Sequence, residues 1–155
     1  MLIIAFALWK FLVMPRSFYA AGSLPAPHAV FQRLNGGAFR VADERGRLLF
    51  LEFFASWCEP CKIQMPLVER WSKAHRNANV VPIDVGESRE AAVAYARAAS
   101  LANVALDPQS SSRALFGIQG FPTVVVVDPS GHIRAKWEGL NPAIGLAMSN
   151  AQNNL

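Results

Sequence analysis

Cysteine is scarce: only Cys58 and Cys61 occur in 155 residues. A small fold stapled by several disulfides is thereby excluded. So is a zinc site of the usual four Cys/His ligands, because His28, His75 and His132 stand far from the pair at no ligand spacing. Charge is thin as well, at 17% of residues, and the formal net charge of +4 is scattered. No basic run interleaved with aromatics is present, so Arg45, Arg47, Lys73 and Arg76 read as solvated faces and not as nucleic-acid contacts. An unbroken apolar run of about 20 residues, enough for a membrane-spanning helix, is lacking too. What remains is a chain with 52% hydrophobic residues, equipped for one packed domain and not for disorder.

Location has to be read at the N-terminus. Residues 1–14 are apolar apart from Lys10, and Pro15-Arg16 ends the run. The length suits a signal-peptide core, and Ala20-Ala21-Gly22 is a passable small-residue cleavage site, but basic residues ahead of the core are missing. An uncleaved anchor, a cleaved signal and a segment clipped by a late start codon all remain open. Residues 1–22 are expected to be a membrane anchor or signal segment. Residues 23–28, with Ser23-Leu24-Pro25-Ala26-Pro27, are expected to be a linker to a domain over 29–155.

Within that domain, residues 29–34 and 38–42 flank Asn35-Gly36-Gly37, a hairpin signal. Leu48 to Phe54 is a near-continuous apolar run, as in a strand buried on both faces. A helix is expected over 59–77, with Leu67, Val68, Trp71 and Ala74 as its inner stripe and Pro66 as a kink. A strand over 79–85, a helix over 88–100 capped by Ser88, a short strand at 104–106 and a helix over 108–116 ended by Gly117 follow. The β-branched run Thr123 to Val127 turns at Asp128-Pro129-Ser130-Gly131 into an antiparallel partner, and a helix over 141–153 closes the chain. The order β-α-β, crossover helix, β-β-α describes an α/β domain: a mixed sheet flanked by helices, preceded by a β-hairpin.

The chemistry lies in Trp57-Cys58-Glu59-Pro60-Cys61, placed where the apolar strand gives way to a helix. A helix N-terminus carries partial positive charge and free N–H groups, which stabilise a thiolate. Cys58 should therefore ionise below the free-cysteine value of about 8.5. Two intervening residues let a small disulfide ring close and reopen, so the pattern points to thiol–disulfide exchange. Pro60 suits the first helical turn. Glu59 sets a negative charge beside the thiolate, or serves as an exposed first-turn acid. Trp57 forms an apolar wall beside the pair or packs in the core.

The segments Phe53-Phe54-Ala55-Ser56-Trp57-Cys58-Glu59-Pro60-Cys61-Lys62, Gly120-Phe121-Pro122-Thr123 and Asp128-Pro129-Ser130-Gly131 resemble the thioredoxin fold. More narrowly, Cys-Glu-Pro-Cys and Asp84-Val85-Gly86-Glu87-Ser88 resemble the membrane-tethered, extracytoplasmic thiol–disulfide oxidoreductases of the TlpA/ResA type. The resemblance implies that Cys58 is the exposed nucleophile and Cys61 the shielded resolving thiol. It also implies a cis Phe121–Pro122 bond facing the dithiol, with Phe121 and Pro122 joining Trp57, Glu59 and Pro60 in holding a partner strand. No cofactor is expected beyond the redox-active pair, and no metal. The implied partners are client proteins with disulfides, apocytochrome c among them, and a membrane thiol electron donor.

Proton supply is where the chain departs from those relatives. They carry a glutamate three residues after the second cysteine, and Gln64 stands there here. Thioredoxin uses a buried aspartate six residues before its first cysteine, and Glu52 occupies that position. Glu52 is the one acid in an apolar strand, so burial should raise its pKa and suit it to carry a proton. On this reading Glu52→Gln shifts the pH profile and Gln64→Ala leaves it alone. Other functions stay open. The same exchange run backwards makes an oxidase; a thiol peroxidase would need a polar set around one cysteine; a copper-holding module would draw on the thiolates and Met65.

Overall fold

The structure, a computed structural model, describes residues 24–155. The anchor or signal segment expected over 1–22 lies outside them. The strands are β1 (Leu24–Pro25), β2 (Val30–Arg33), β3 (Ala38–Arg40), β4 (Leu48–Phe54), β5 (Ala78–Val85), β6 (Ala105–Asp107), β7 (Thr123–Val127) and β8 (His132–Glu138). The helices are α1 (Glu59–Ala74), α2 (Arg89–Ala98), α3 (Ser111–Phe116) and α4 (Ile144–Asn154). The strands form one sheet in the order β1-β8-β7-β4-β5-β6-β2-β3. β4 runs parallel to β5 and β5 to β6, while the other pairs are antiparallel, so the sheet is mixed as expected. The hairpin is β2–β3, and its open edge closes onto β6 through Gln32 and Arg33.

β4 sits in the middle, and each of its seven residues is buried. Because side chains alternate across a strand, Leu49, Leu51 and Phe53 face one core with Val81, Ile83, Val125 and Phe116 of α3. Leu48 and Phe50 face the other, under Val68 and Trp71 of α1 and Ile144 and Met148 of α4. Phe54 continues that second face into a cluster holding Cys58, Cys61, Met65 and Ala96. The dithiol is therefore mounted on a strand end with packing on both sides. Among the described residues no helix is long and apolar enough to cross a membrane.

Several local expectations shift. The buried stripe of α1 is Cys61, Gln64, Met65, Val68 and Trp71, while Ala74 is exposed and Leu67 only half-buried. α3 starts at Ser111 because the Asp107 carboxylate accepts the Ser111 N–H at 3.0 Å, the Ser111 hydroxyl at 2.8 Å and the Ser112 N–H at 2.8 Å. That cap satisfies donors that helix N-termini leave free. α4 starts at Ile144 because the Asn141 side chain accepts the Ala143 N–H at 2.9 Å and holds the chain in a turn. In the stretch expected as a linker, Leu24 and Pro25 pair with Ile133 and His132 at the sheet edge. Proline is tolerated on such an edge.

Candidate functional site

The turn after β4 brings Cys58 to the N-cap of α1, with Pro60 in the first turn. Its Sγ accepts the Cys61 N–H at 3.2 Å, one of the donors the helix start leaves open. The two sulfurs are bonded to each other, with Cα atoms 5.2 Å apart. Cys58 is 4% exposed and Cys61 not at all. Both cysteines are buried, and Cys58 is far less open than expected, in a cluster with Phe54, Ala55 and Phe121. Of the two, only Cys58 retains any exposure.

A groove of about 450 Å³ opens beside Cys58. Trp57 and Phe121 form its walls, their rings 6.1 Å apart and edge-on. Trp57 is 67% exposed, which places it on the surface as a wall and not in the core. Glu59 and Pro60 lie along the rim, where Glu59 accepts a hydrogen bond from Lys62. Arg113, unremarked in the sequence, lies across from them with its guanidinium 5.1 Å from the centre of the Phe121 ring. The Phe121–Pro122 peptide bond is cis, and the Phe121 side is the one that lines the groove. Met65, weighed as a copper ligand, is 2% exposed and accepts the Tyr95 hydroxyl on its sulfur. Among the described residues no group of three His, Cys, Asp or Glu side chains is arranged to hold a metal ion.

Beneath α1, on the face of β4 shared by Phe50 and Phe54, lies Glu52 at 1% exposure. Burial pushes its carboxyl up to about 8; a hydrogen bond with Gln64 works against that rise and Glu69 adds to it. Glu52 Oε1 has no hydrogen-bond partner among the described residues, and burial favours the neutral form of such a carboxyl. On β5, Asp84 is fully buried on the same face, and both its oxygens lack such a partner. Its carboxyl is pushed up to about 7, by burial first and then by Glu87. Glu87 in turn accepts the Ser56 N–H and, at 2.6 Å, the Ser56 hydroxyl.

A thioredoxin-like family model matches residues 46–133, which hold β4, the dithiol, the cis proline and the turn after β7. The chain belongs to the thioredoxin-like family. Thiol-disulfide oxidoreductase ResA of Bacillus subtilis is 29% identical over 111 residues, covering 70% of this chain and 62% of that protein. The match thus spans less than two thirds of the relative's length. A thiol:disulfide interchange protein of the thioredoxin family from Chlorobium tepidum superposes with a TM-score of 0.65 at 28% identity, covering 75% of this chain and 86% of that one. A secreted Mycobacterium tuberculosis disulfide oxidoreductase shares the fold, with a TM-score of 0.72 at 18% identity, covering 83% and 96%.

The groove thus brings together Trp57, Cys58, Glu59, Pro60 and Phe121, while Pro122 is buried and outside its lining, Cys61 is buried in α1 and Glu52 lies beneath that helix. Gln64 needs revision. It is not an idle replacement for an acid: its Oε1 accepts the Asn141 N–H at 2.9 Å while its side chain bonds to Glu52. Gln64→Ala is therefore expected to raise the Glu52 pKa, moving the pH profile to higher pH instead of leaving it unchanged. Stranding the buried Asn141 N–H should also cost about 1–3 kcal/mol. Activity-versus-pH curves and urea unfolding of the variant check both effects.

Asp84, Glu87 and Ser56 escaped the sequence reading as site residues. For Asp84 the signal was present, since it is an acid between the apolar run Val80-Val81-Pro82-Ile83 and Val85, much as Glu52 is within β4. Glu87 stood in the resemblance segment Asp84-Val85-Gly86-Glu87-Ser88, but its bond to Ser56, 31 residues away, left no local trace.

Proposed function

We propose that this protein is a thiol–disulfide oxidoreductase that reduces disulfides of client proteins by exchange through Cys58 and Cys61. The observation that carries the reading is a sulfur at a helix N-cap, beside an open groove, with its partner sulfur sealed beneath the same helix. In the reduced protein the Cys58 thiolate attacks one sulfur of the client disulfide, and the client's other sulfur leaves as a thiolate. The Cys61 thiolate then attacks Cys58 Sγ, the Cys58–client bond breaks, and the second client thiolate departs. Two electrons pass from the dithiol to the client. The ionised fraction of Glu52, which grows as pH rises toward about 8, takes the Cys61 proton during that second attack. Trp57, Glu59, Pro60, Phe121 and Pro122 hold the client segment, whose backbone pairs along Phe121.

The apolar N-terminal segment and the likeness to ResA support an extracytoplasmic place, on a membrane tether or secreted, with a membrane thiol donor recharging the pair. Cytochrome c maturation, through the heme-attachment cysteines of apocytochrome c, is the client class that the ResA resemblance suggests. The test is the equilibrium of the Cys58–Cys61 couple against glutathione, together with turnover of a disulfide-bearing protein under dithiothreitol. Turnover with a potential near the thioredoxin value of about −270 mV supports a reductase. A potential near about −120 mV reverses the direction, and absence of turnover removes the activity.

A further inference from the structure

Asp84 is unused by the exchange chemistry, yet it sits on the dithiol face of the sheet. It is the register partner of Phe54, the residue from which the Ala55-Ser56-Trp57-Cys58 turn departs. Three residues later in the chain, past Gly86 at φ +80, Glu87 folds back toward the same turn. That return needs the left-handed backbone of Gly86, which favours glycine, and a Cβ there would also meet Ser110 Oγ at 2.8 Å. After burial, Glu87 is the group that acts on the Asp84 carboxyl and raises it. Two ionised carboxylates cannot share such a site, whereas an acid and a carboxylate can.

We propose that Asp84 and Glu87 hold one proton between them, and that this pair is a positioning device that fixes Ser56 two residues ahead of Cys58. The proton resides on Asp84. Glu87 already accepts two donors from Ser56, while neither Asp84 oxygen receives a donor of its own. Asp84 O–H donates to Glu87, and Glu87 accepts from Ser56 N–H and Oγ–H. Losing the proton puts two negative charges in contact, drives Glu87 toward solvent and strips Ser56 of its acceptor.

The surrounding charges leave this pair to itself. From β4, Glu52 lies diagonally across one strand spacing on the same face, roughly 8 Å away by sheet geometry. From α2, Tyr95 feels Glu52 and Asp84 but gives its hydroxyl to Met65. From α1, Lys62 is paired with Glu59. From β6, Asp107 caps α3 through Ser111 and Ser112. Among the described residues no cation forms an ion pair with Asp84 or Glu87.

Only the consequence for reactivity rests on the reading of Cys58 as the attacking sulfur, so the pair is tested in the oxidised full chain, where no thiol titrates. The Ser56 amide resonance is followed across pH in wild type, Asp84→Asn and Glu52→Gln. The expected result is a Ser56 shift with a near-neutral midpoint in wild type, kept in Glu52→Gln and lost in Asp84→Asn, whose amide still donates to Glu87. A wild-type Ser56 amide that ignores pH in this range, or a shift that survives Asp84→Asn, overturns the proposal. If Asp84→Asn does not fold, the Asp84 carboxyl carbon shift in wild type decides. A midpoint near 4, the usual range for aspartate at about 3.9, overturns it, and a near-neutral midpoint shared with the Ser56 amide supports it. In the reduced protein, the pH profile of Cys58 alkylation should carry a second inflection that Asp84→Asn loses. A protein with the Ser56 titration but no exchange activity keeps this inference and loses the proposed function.

Discussion

Cys61→Ser should arrest the protein on its clients. The Cys58 thiolate can still open a client disulfide, but no second thiolate follows to attack Cys58 Sγ, so turnover falls to background and a covalent complex accumulates. The burial of Cys61 makes the block complete, since outside thiols have little access to replace an attack delivered from beneath α1. Cys58→Ser should form no complex, because the remaining sulfur is sealed from solvent. Non-reducing electrophoresis after incubation with a disulfide-bearing protein separates the two. A trapped complex in Cys58→Ser, or none in Cys61→Ser, would reverse or remove the assigned order of attack.

Glu52→Gln has the second large effect, on stability and on rate together. Folding raises the Glu52 pKa from 4.5 to about 8. Between those values the folded chain holds a proton that the unfolded chain releases, so stability is full below about 4.5 and falls as pH rises through about 8. The loss is on the order of 5 kcal/mol for this one group, and burial, not pairing, is its main cause. The neutral amide of Glu52→Gln removes this contribution, so oxidised variant and wild type should converge in acid and the variant should be the more stable above pH 8. Asp84, raised from 3.8 to about 7, keeps part of the slope in the variant. Unfolding by urea across pH reads the difference directly. In the reduced enzyme the same substitution should slow turnover by roughly 100-fold and flatten its pH profile, general acid–base groups being worth about that much. Parallel stability curves in the two proteins would refute the buried, neutral carboxyl.

What could be read from the chain and what could not divide along a physical line. β4, the dithiol at the start of α1 and the Asn35-Gly36-Gly37 hairpin are written in local pattern: an apolar run, a helix-start motif, a turn dipeptide. Gln64 was illegible as a core residue because a polar side chain in a helix reads as outward. Its burial makes sense only with Asn141, 77 residues away, and Glu52 supplying partners. The starts of α3 and α4 slipped because Asp107 and Asn141 spend their side chains on turns ahead of the first helical residue. Leu24 and Pro25 read as linker because proline suggests no strand, yet an edge strand asks little of their N–H groups. The groove is legible on its Trp57 side and not on its Arg113 side, since nothing local ties α3 to the ring of Phe121.

The most direct test is the alkylation of the reduced full chain by iodoacetamide at pH 7, with the modified cysteine identified by peptide mass. A helix-stabilised thiolate at Cys58 should react faster than a small-molecule thiol under the same conditions, while Cys61 stays unmodified until the chain unfolds. Equal labelling of both sulfurs, or a Cys58 slower than the free thiol, would contradict it.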